Sequence, residues 1–372
     1  MRIGLLGFGT VGRGVYELAA ARNDMEVTKV LCRRELTIPG VEVTHDFEDI
    51  LKDPTIDTVV EVMGGLHPAY EYVRSAILAG KHVATANKAM LAHYYDDLIP
   101  LAQRQGVMLR CTASVGGGIG WLSGVERVRR VEPIRSLSGI MNGTCNYILD
   151  SMSRLGLTYA EALSQAQELG YAEADPSTDV DGIDTWHKLI VSGNVAFGVS
   201  LDTDGIPVAG IRNIRAEDVI NFKNHHLVCK LMATAQDRGD HCSAYVQPTL
   251  CPNGEPEAAV PTNYNLITLT ADAAGRQSFY GQGAGRYPTA YNVVEDLIDF
   301  LRGRGYYGTC GKKTPVRNEE KLHFYVRGTP WPKEQTLERW GHGVVTKPIT
   351  VDQMHLWLKD HPDTFIAALP EE

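Results

Sequence analysis

Residues 2–12 read RIGLLGFGTVG, and this stretch decides the fold. Arg2 to Leu6 is a short apolar run with the character of a strand. Gly7, Gly9 and Gly12 follow at G-x-G-x-x-G spacing, and Val11 to Arg22 reads as a helix. Strand, glycine turn and helix in that order form the dinucleotide fingerprint. Gly7 allows the tight turn, Gly9 lets the backbone approach a pyrophosphate, and Gly12 lets helix and strand pack closely. Phe8, Thr10 and Val11 complete the turn as candidate cofactor contacts. The first N–H groups of the helix lack intrahelical partners and are available to phosphate oxygens. The alternative, an ordinary glycine turn, does not call for a strand before it and a helix after it.

The next strand, 26–32, ends in Arg33-Arg34. About twenty residues beyond the glycines an NAD-selective site carries Asp or Glu for the ribose hydroxyls. Two arginines suit a 2′-phosphate instead, through bidentate and stacking contacts, so NADP is favoured over NAD. The other reading leaves both arginines on the surface and has Glu35 reach the ribose. Further strands at 57–63, 82–86 and 107–112 alternate with helices at 68–79 and 89–105, the pattern of a parallel sheet covered on both faces. Gly64 and the pair Asn87-Lys88 lie at carboxyl ends of strands, where open α/β sheets bind ligands. Lys88 would place a cation over the nicotinamide. As a mere surface residue at a helix N-terminus it would be mildly unfavourable against the helix dipole.

A second stretch carries the chemistry. Residues 170–188 read GYAEADPSTDVDGIDTWHK, with Glu173, Asp175, Asp179, Asp181 and Asp184 followed by Lys188. Ile183, Trp186, Ile190, Asn194 and Phe197 fall at helical spacing, so a helix starts near Gly182. Asp184 and Lys188, at i and i+4, then share one face. Two readings are open: a weak surface ion pair beside a solvated loop, or a pocket of carboxylates facing a lysine, suited to holding an amino group and moving a proton.

The chain has 372 residues, too many for one ordinary core. Its formal charge of −9 and lack of a basic stripe argue against nucleic-acid binding. Seven scattered cysteines without C-x-x-C suit a reducing, cytoplasmic setting and offer no zinc framework. Met1-Arg2 leads straight into a strand, so no signal peptide is expected, and no apolar run is long enough for a membrane span. The expected division is a dinucleotide-binding domain at 1–133, an α+β substrate and dimerisation domain at 134–287, and a small β–α appendage at 310–372. In the second domain, strands are expected at 134–141 and 263–271. Helices are expected at 146–156, at 158–170 behind a Thr158–Glu161 capping box, and at 218–238. His225-His226 on the last of these is read as structural. A helix at 288–302 is expected to pack back onto the first domain. The tail predicts strands at 321–326, 343–346 and 364–368 and a helix at 350–360.

These motifs together resemble homoserine dehydrogenase. The resemblance runs from residue 2 to about 302, over GFGTVG (7–12), GGLHPA (64–69), TANKAMLA (85–92), ASVGGGI (113–119), MNGTCNYIL (141–149), ELGYAEADPSTDVDGIDTWHK (168–188) and GAGRYPTA (283–290). It implies reversible NAD(P)-dependent reduction of L-aspartate 4-semialdehyde to L-homoserine, in the route to threonine and methionine. It further implies that Glu173, Asp179, Asp184 and Lys188 line the amino-acid site, with Gly143 and Thr144 flanking it. Lys88 would stand between substrate and cofactor, and Gly283 near the cofactor. Lys188 is the expected acid/base, held by Asp184 and assisted by Lys88, with the opposite assignment of the two lysines left open. Glu173 and Asp179 would hold the substrate ammonium, leaving Asp175 and Asp181 as loop or capping residues. The family commonly has glutamate where this chain has Thr112. With carbonyls such as those of Val115 and Gly117 that glutamate binds a monovalent cation, so weak or absent Na⁺ or K⁺ binding is expected here. A homodimer or higher homo-oligomer is implied. Two alternatives remain: a dehydrogenase of another short amino or oxo acid, and a non-catalytic nucleotide-binding regulatory protein.

Overall fold

In the computed structural model, which describes residues 1–305 and 313–370, Arg2–Leu6 lies inside a six-stranded sheet. Across that sheet the strands run Glu42–Thr44, Glu26–Leu31, Arg2–Leu6, Thr58–Glu61, His82–Thr85, Leu109–Arg110. Every neighbour is parallel. The strand order reverses between Arg2–Leu6 and Thr58–Glu61, which makes the switch point where such sheets take their ligand. Helices Thr10–Ala20, Ala69–Leu78 and Lys88–Gln105 stand where the hydrophobic periodicity predicts them. The strand Glu42–Thr44 and the one-turn helix Glu48–Leu51 are additions; three or four residues are too few to show a period.

By its contacts the chain divides into two units. The first comprises Met1–Pro133, Ile190–Ser200 and Gln282–Lys313. Helix Arg286–Leu301 belongs to it. Ala290, Val293, Val294, Leu297 and Phe300 of that helix share one buried cluster with Val15, Ala19 and Ile3. Gly14 permits the approach, since a Cβ there would come within 2.9 Å of the Ala290 Cβ.

The second unit comprises Ile134–Leu189, Leu201–Gly281 and Thr314–Glu372. It is built on a nine-stranded mixed sheet: Gly275–Gln282, Tyr264–Ala271, Ile134–Ile140, Leu227–Asp237, Cys242–Pro252, Phe365–Ala368, Phe324–Arg327, Gly343–Thr346, Thr336–Trp340. The helix expected over 218–238 needs correction. A helix covers only Ala216–Asn224. His226 then turns the chain at φ 61°, and Leu227–Asp237 is an eleven-residue strand paired with Cys242–Pro252. Its run LVCKLMATA is buried on nearly every residue, so it lacks the two-residue alternation that marks a half-buried strand. His225 stacks on Trp340, ring centroids 3.7 Å apart.

Within the tail, strands Phe324–Arg327, Gly343–Thr346 and Phe365–Ala368 and helix Val351–Lys359 match the sequence reading closely. The strands extend the nine-stranded sheet, Ala368 pairing in parallel with Thr249 and Phe324–Arg327 pairing antiparallel with Phe365–Ala368. The tail strands Phe324–Arg327, Thr336–Trp340, Gly343–Thr346 and Phe365–Ala368 thus continue the second unit's sheet; residues 310–312 of the expected 310–372 appendage, with 371 and 372, lie outside the described residues.

Candidate active site

In the first unit the fingerprint loop leaves the strand through Gly7, at φ +100°. Gly12 stacks on the Gly7 carbonyl so closely that any Cβ would overlap it. Helix Thr10–Ala20 has Gly9 as its N-cap and receives no side-chain cap, so its first N–H groups remain available. A Cβ at Gly9 would meet no atom within 4 Å. An uncapped helix N-terminus beside open space at a switch point fits a pyrophosphate. Phe8 packs edge-on against Tyr16, with the Arg13 guanidinium 5.8 Å from its ring centre. Thr10 is exposed, and Val11 is half-buried.

The neighbouring loop is organised by a residue the motifs did not single out. Glu61 ends the strand Thr58–Glu61, fully buried. Its carboxylate accepts from Thr85 Oγ1 (2.6 Å), Met63 N (2.8 Å), Gly64 N (3.3 Å) and Asn87 Nδ2 (3.5 Å). Burial pushes its pKa up, and these hydrogen bonds oppose that. Asn87 also donates to the Gly65 carbonyl at 2.7 Å, and its Oδ1 caps helix Lys88–Gln105 through Met90 N at 3.1 Å. Asn87 thus ties the Gly64-Gly65 loop to the helix that opens with half-buried Lys88.

Arg33 and Arg34 are exposed beyond the strand Glu26–Leu31. Glu35, the competing candidate for the ribose, instead contacts His45 Nε2 at 3.1 Å. Gly117 lies against Gly283 backbone to backbone, closely enough that a Cβ would clash, and the Gly117 carbonyl accepts from Asn292 Nδ2. Thr112 points its hydroxyl at Asp296 Oδ1 (2.5 Å) and its N–H at Oδ2 (2.8 Å), while Val115 is fully buried. Neither engagement removes the oxygen lone pairs a cation would use; what sets this place apart from the family's glutamate-bearing monovalent-cation site is that Thr112 brings no charge of its own. No step of the reaction is assigned to one.

The acidic stretch belongs to the second unit. Gly182 turns the chain at φ +86° into helix Ile183–Phe197, whose first turn holds Asp184. Asp184 and Lys188 are both buried, 7% and 8% exposed, which rules out the surface-pair reading. Lys188 Nζ donates to Asp184 Oδ2 at 2.8 Å and to the Met141 carbonyl at 2.7 Å. An ammonium has three N–H bonds, so one remains without a protein partner among the described residues.

Facing this pair is the N-terminus of helix Gly143–Leu155. Its cap, Asn142, accepts from Cys145 N at 2.7 Å and donates both amide hydrogens, to Asp179 Oδ1 (2.6 Å) and Asp184 Oδ2 (2.8 Å). At Gly143 only a glycine fits, because a Cβ would stand 2.6 Å from the Asn263 carbonyl oxygen. Thr144 donates to the Tyr171 carbonyl at 2.6 Å, bringing the acidic loop against the helix start. Burial raises the Asp179 pKa; the Asn142 and Thr144 hydrogen bonds and Lys188 lower it, and Asp184 raises it. Glu173 is exposed on the same loop, with no carboxylate partner among the described residues. Asp175 caps Ser177 (Oδ1 to N 3.1 Å), and Asp181 is held by Arg212 in a two-point pair at 2.8 Å. The sequence reading passed over Asn142. The available signal was an Asn after a strand and directly before a helix start. The Met141 carbonyl carries no sequence signal.

Two family models match: "Homoserine dehydrogenase, NAD binding domain" over residues 7–111 and "Homoserine dehydrogenase" over 121–298. The homoserine dehydrogenase of Bacillus subtilis (strain 168) is 36% identical over 316 residues, 81% of this chain and 73% of that protein. The chain belongs to the homoserine dehydrogenase family. It is thereby an NAD(P)-dependent oxidoreductase acting on a CH–OH group. A crystal structure of a homoserine dehydrogenase from Thiobacillus denitrificans superposes with a TM-score of 0.87 at 28% identity, covering 100% of this chain and 98% of that one. A hyperthermophilic archaeal homoserine dehydrogenase in complex with NADPH superposes with a TM-score of 0.71 at 25% identity, over 81% of this chain and 98% of that one. Among the described residues no helix is long and apolar enough to cross a membrane.

Proposed function

We propose that the chain interconverts L-aspartate 4-semialdehyde and L-homoserine with Lys188 as the proton carrier. The observation that carries this is the geometry of Lys188: buried, fixed by Asp184 and the Met141 carbonyl, with one N–H to spare. When bound, the nicotinamide supplies or takes the hydride. As the aldehyde oxygen gains charge, the spare N–H of Lys188 hydrogen-bonds to it and then delivers the proton. In the oxidative direction Lys188 accepts the hydroxyl proton. Asp184 holds the ammonium in place by a charge-assisted hydrogen bond. Asp179 and Glu173 offer carboxylates to the substrate ammonium, Thr144 and Gly143 shape the wall beside it, and Lys88 is a second, assisting cation. Gly7, Gly9 and Gly12, with the N–H groups of helix Thr10–Ala20, would bind the pyrophosphate; Gly64 would leave room for the cofactor, Gly283 would lie near it, and Asn87 holds the Gly64-Gly65 loop. The test is homoserine-dependent formation of NADPH and NADH by purified protein. Cofactor binding without turnover on homoserine, alongside turnover on another short hydroxy amino acid, would move the proposal to that substrate.

NADP is the preferred carrier in this reading. Arg33 and Arg34 are exposed where a 2′-phosphate would lie, and Glu35 is drawn to His45. The archaeal relative solved with NADPH agrees with the preference. Replacing both arginines with alanine is expected to raise the KM for NADPH by about tenfold to a hundredfold, since charge-assisted contacts are worth about 1.5–3 kcal/mol. The KM for NADH should stay within about twofold, because NADH has no 2′-phosphate to lose. Equal losses for both cofactors would remove the arginines from the site. A cytoplasmic homodimer that needs no monovalent cation completes the proposal. A potassium titration showing strong saturable activation would overturn its last part.

A further inference from the structure

We propose that Asn142 is a positioning residue of the reaction: its single amide, shared between Asp179 and Asp184, keeps both carboxylates charged and sets Asp184 on Lys188. The inference rests on the reading of Lys188 as proton carrier. It goes beyond that reading by assigning a role to a residue outside the set that touches substrate.

The orientation of the amide is dictated by its partners. Oδ1 accepts the Cys145 N–H, and Nδ2 faces two carboxylate oxygens. Rotating the amide by half a turn would set its oxygen against both carboxylates and its hydrogens against an N–H. Only one orientation therefore satisfies all three contacts. Both hydrogens of Nδ2 are used, and Asn142 is 4% exposed, so water does not substitute readily.

The charges around it make the sharing consequential. Asp179 comes from the one-turn helix Ser177–Val180, and Asp184 and Lys188 from helix Ile183–Phe197. The Cys145 thiol, on the capped helix, donates to the Asp179 carbonyl, and Asp181 nearby is paired with Arg212. One buried carboxylate, Asp184, thus pairs with Lys188 while a half-buried one, Asp179, lies within its field, and the substrate ammonium brings the second positive charge. Before substrate arrives, the amide is the neutral group that separates the two anions and gives each a donor. Burial already lifts the Asp179 pKa, and the Asn142 hydrogen bond works against that lift. Without the amide, one of the two carboxylates should take up a proton at higher pH, as like-charged pairs do. Either protonation disables the site: a neutral Asp179 no longer attracts the ammonium, and a neutral Asp184 no longer orients Lys188.

The experiment is the pH profile of kcat/KM for homoserine oxidation across about pH 5 to 9, on wild type, Asn142→Ala, Asn142→Ser and Asn142→Asp. Lys188→Ala runs in parallel, and NADPH binding is titrated on every protein. The acidic limb should move up by about one pH unit in Asn142→Ala, and by more in Asn142→Asp, which adds a third carboxylate. Asn142→Ser keeps a capping oxygen and one donor, so it should fold even if the alanine variant does not, and its limb should shift by less than that of Asn142→Asp. KM for homoserine should rise more than kcat falls. Variants that bind NADPH but lose the same factor at every pH would show a helix cap and nothing more, and overturn the proposal. An unshifted limb in the serine and aspartate variants, with Lys188→Ala inactive, would overturn it while leaving the Lys188 reading intact. Sustained turnover in Lys188→Ala would overturn the Lys188 reading itself, whatever the Asn142 profiles show.

Discussion

Lys188→Ala is expected to lower homoserine turnover by about three orders of magnitude, within the range by which positioned acid–base groups accelerate proton transfer. The expectation follows from how Lys188 is held. Two acceptors, Asp184 Oδ2 and the Met141 carbonyl, fix Nζ, so its remaining N–H has a defined direction. The two polar side chains beside it at the start of helix Gly143–Leu155 cannot replace it: Asn142 has spent both amide hydrogens, and Thr144 donates to Tyr171. The cofactor loop at Gly7 to Gly12 belongs to the other unit, so NADPH affinity should be unchanged and serves as the control for folding. Removing the lysine also leaves Asp184 buried without its cation, which breaking of buried pairs suggests costs about 3–5 kcal/mol. Some loss of melting temperature is therefore expected alongside the loss of turnover. Lys188→Met combined with Asp184→Asn separates the two effects, because it removes both charges at once. That double variant should recover stability and stay inactive. If Lys188→Ala keeps more than about a tenth of wild-type turnover, the proton is carried elsewhere, and Lys88 is the next residue to test.

The parts legible in the sequence are those that one segment specifies by itself. The fingerprint at residues 2–12 combines strand, turn and helix without distant help, and the structure forms all three. Asp184 and Lys188 are four residues apart on one helix, so their contact follows from helix geometry alone. Asn142 was not legible because its role needs two partners, 37 and 42 residues further along the chain. Glu61 was missed for a related reason: its glutamate lies in an apolar strand and acts on loop backbone that has no side-chain signature. Leu227–Asp237 failed for a physical reason of its own, since a strand covered on both faces loses the alternation that identifies it. The tail shows a further limit. Its strands at Phe324–Arg327, Gly343–Thr346 and Phe365–Ala368 were legible one by one, yet which sheet they would join depends on a pairing with Thr249, over a hundred residues earlier.

The other large effect is on stability and centres on Asp296. This carboxylate is fully buried, as is Arg110, whose Nε donates to it at 3.0 Å. Thr112 adds its N–H and its hydroxyl, while Glu126 and Asp299 hold the far side of the guanidinium at 3.1 and 2.9 Å. Asp296→Ala would strip the cluster of its central anion and leave the Thr112 N–H and hydroxyl buried without their acceptor. A loss of about 3–5 kcal/mol is expected from the broken buried pair, read as a fall in melting temperature of about 5 °C for a chain of this length. Asp296→Asn should be milder at neutral pH, because its one amide oxygen can still accept from Thr112 and the guanidinium keeps Glu126 and Asp299, although its NH2 then faces a donor that the second carboxylate oxygen had accepted. The two variants also differ in pH dependence. Burial raises the Asp296 pKa from 3.8 to about 6, against the pull of Arg110 and Thr112. The folded protein then binds a proton more tightly than the unfolded chain does. Its contribution to stability is fully present below the unfolded value and declines as pH rises through the window up to about 6. In Asp296→Asn that decline is absent, so the stability difference between wild type and this variant should change across the window and be flat on either side. Melting curves at steps between pH 4 and 8 make the comparison directly. Equal destabilisation by alanine and asparagine would mean that charge, not the hydrogen bonds to Thr112, dominates the cluster; wild-type melting in both would mean that Glu126 and Asp299 satisfy Arg110 by themselves.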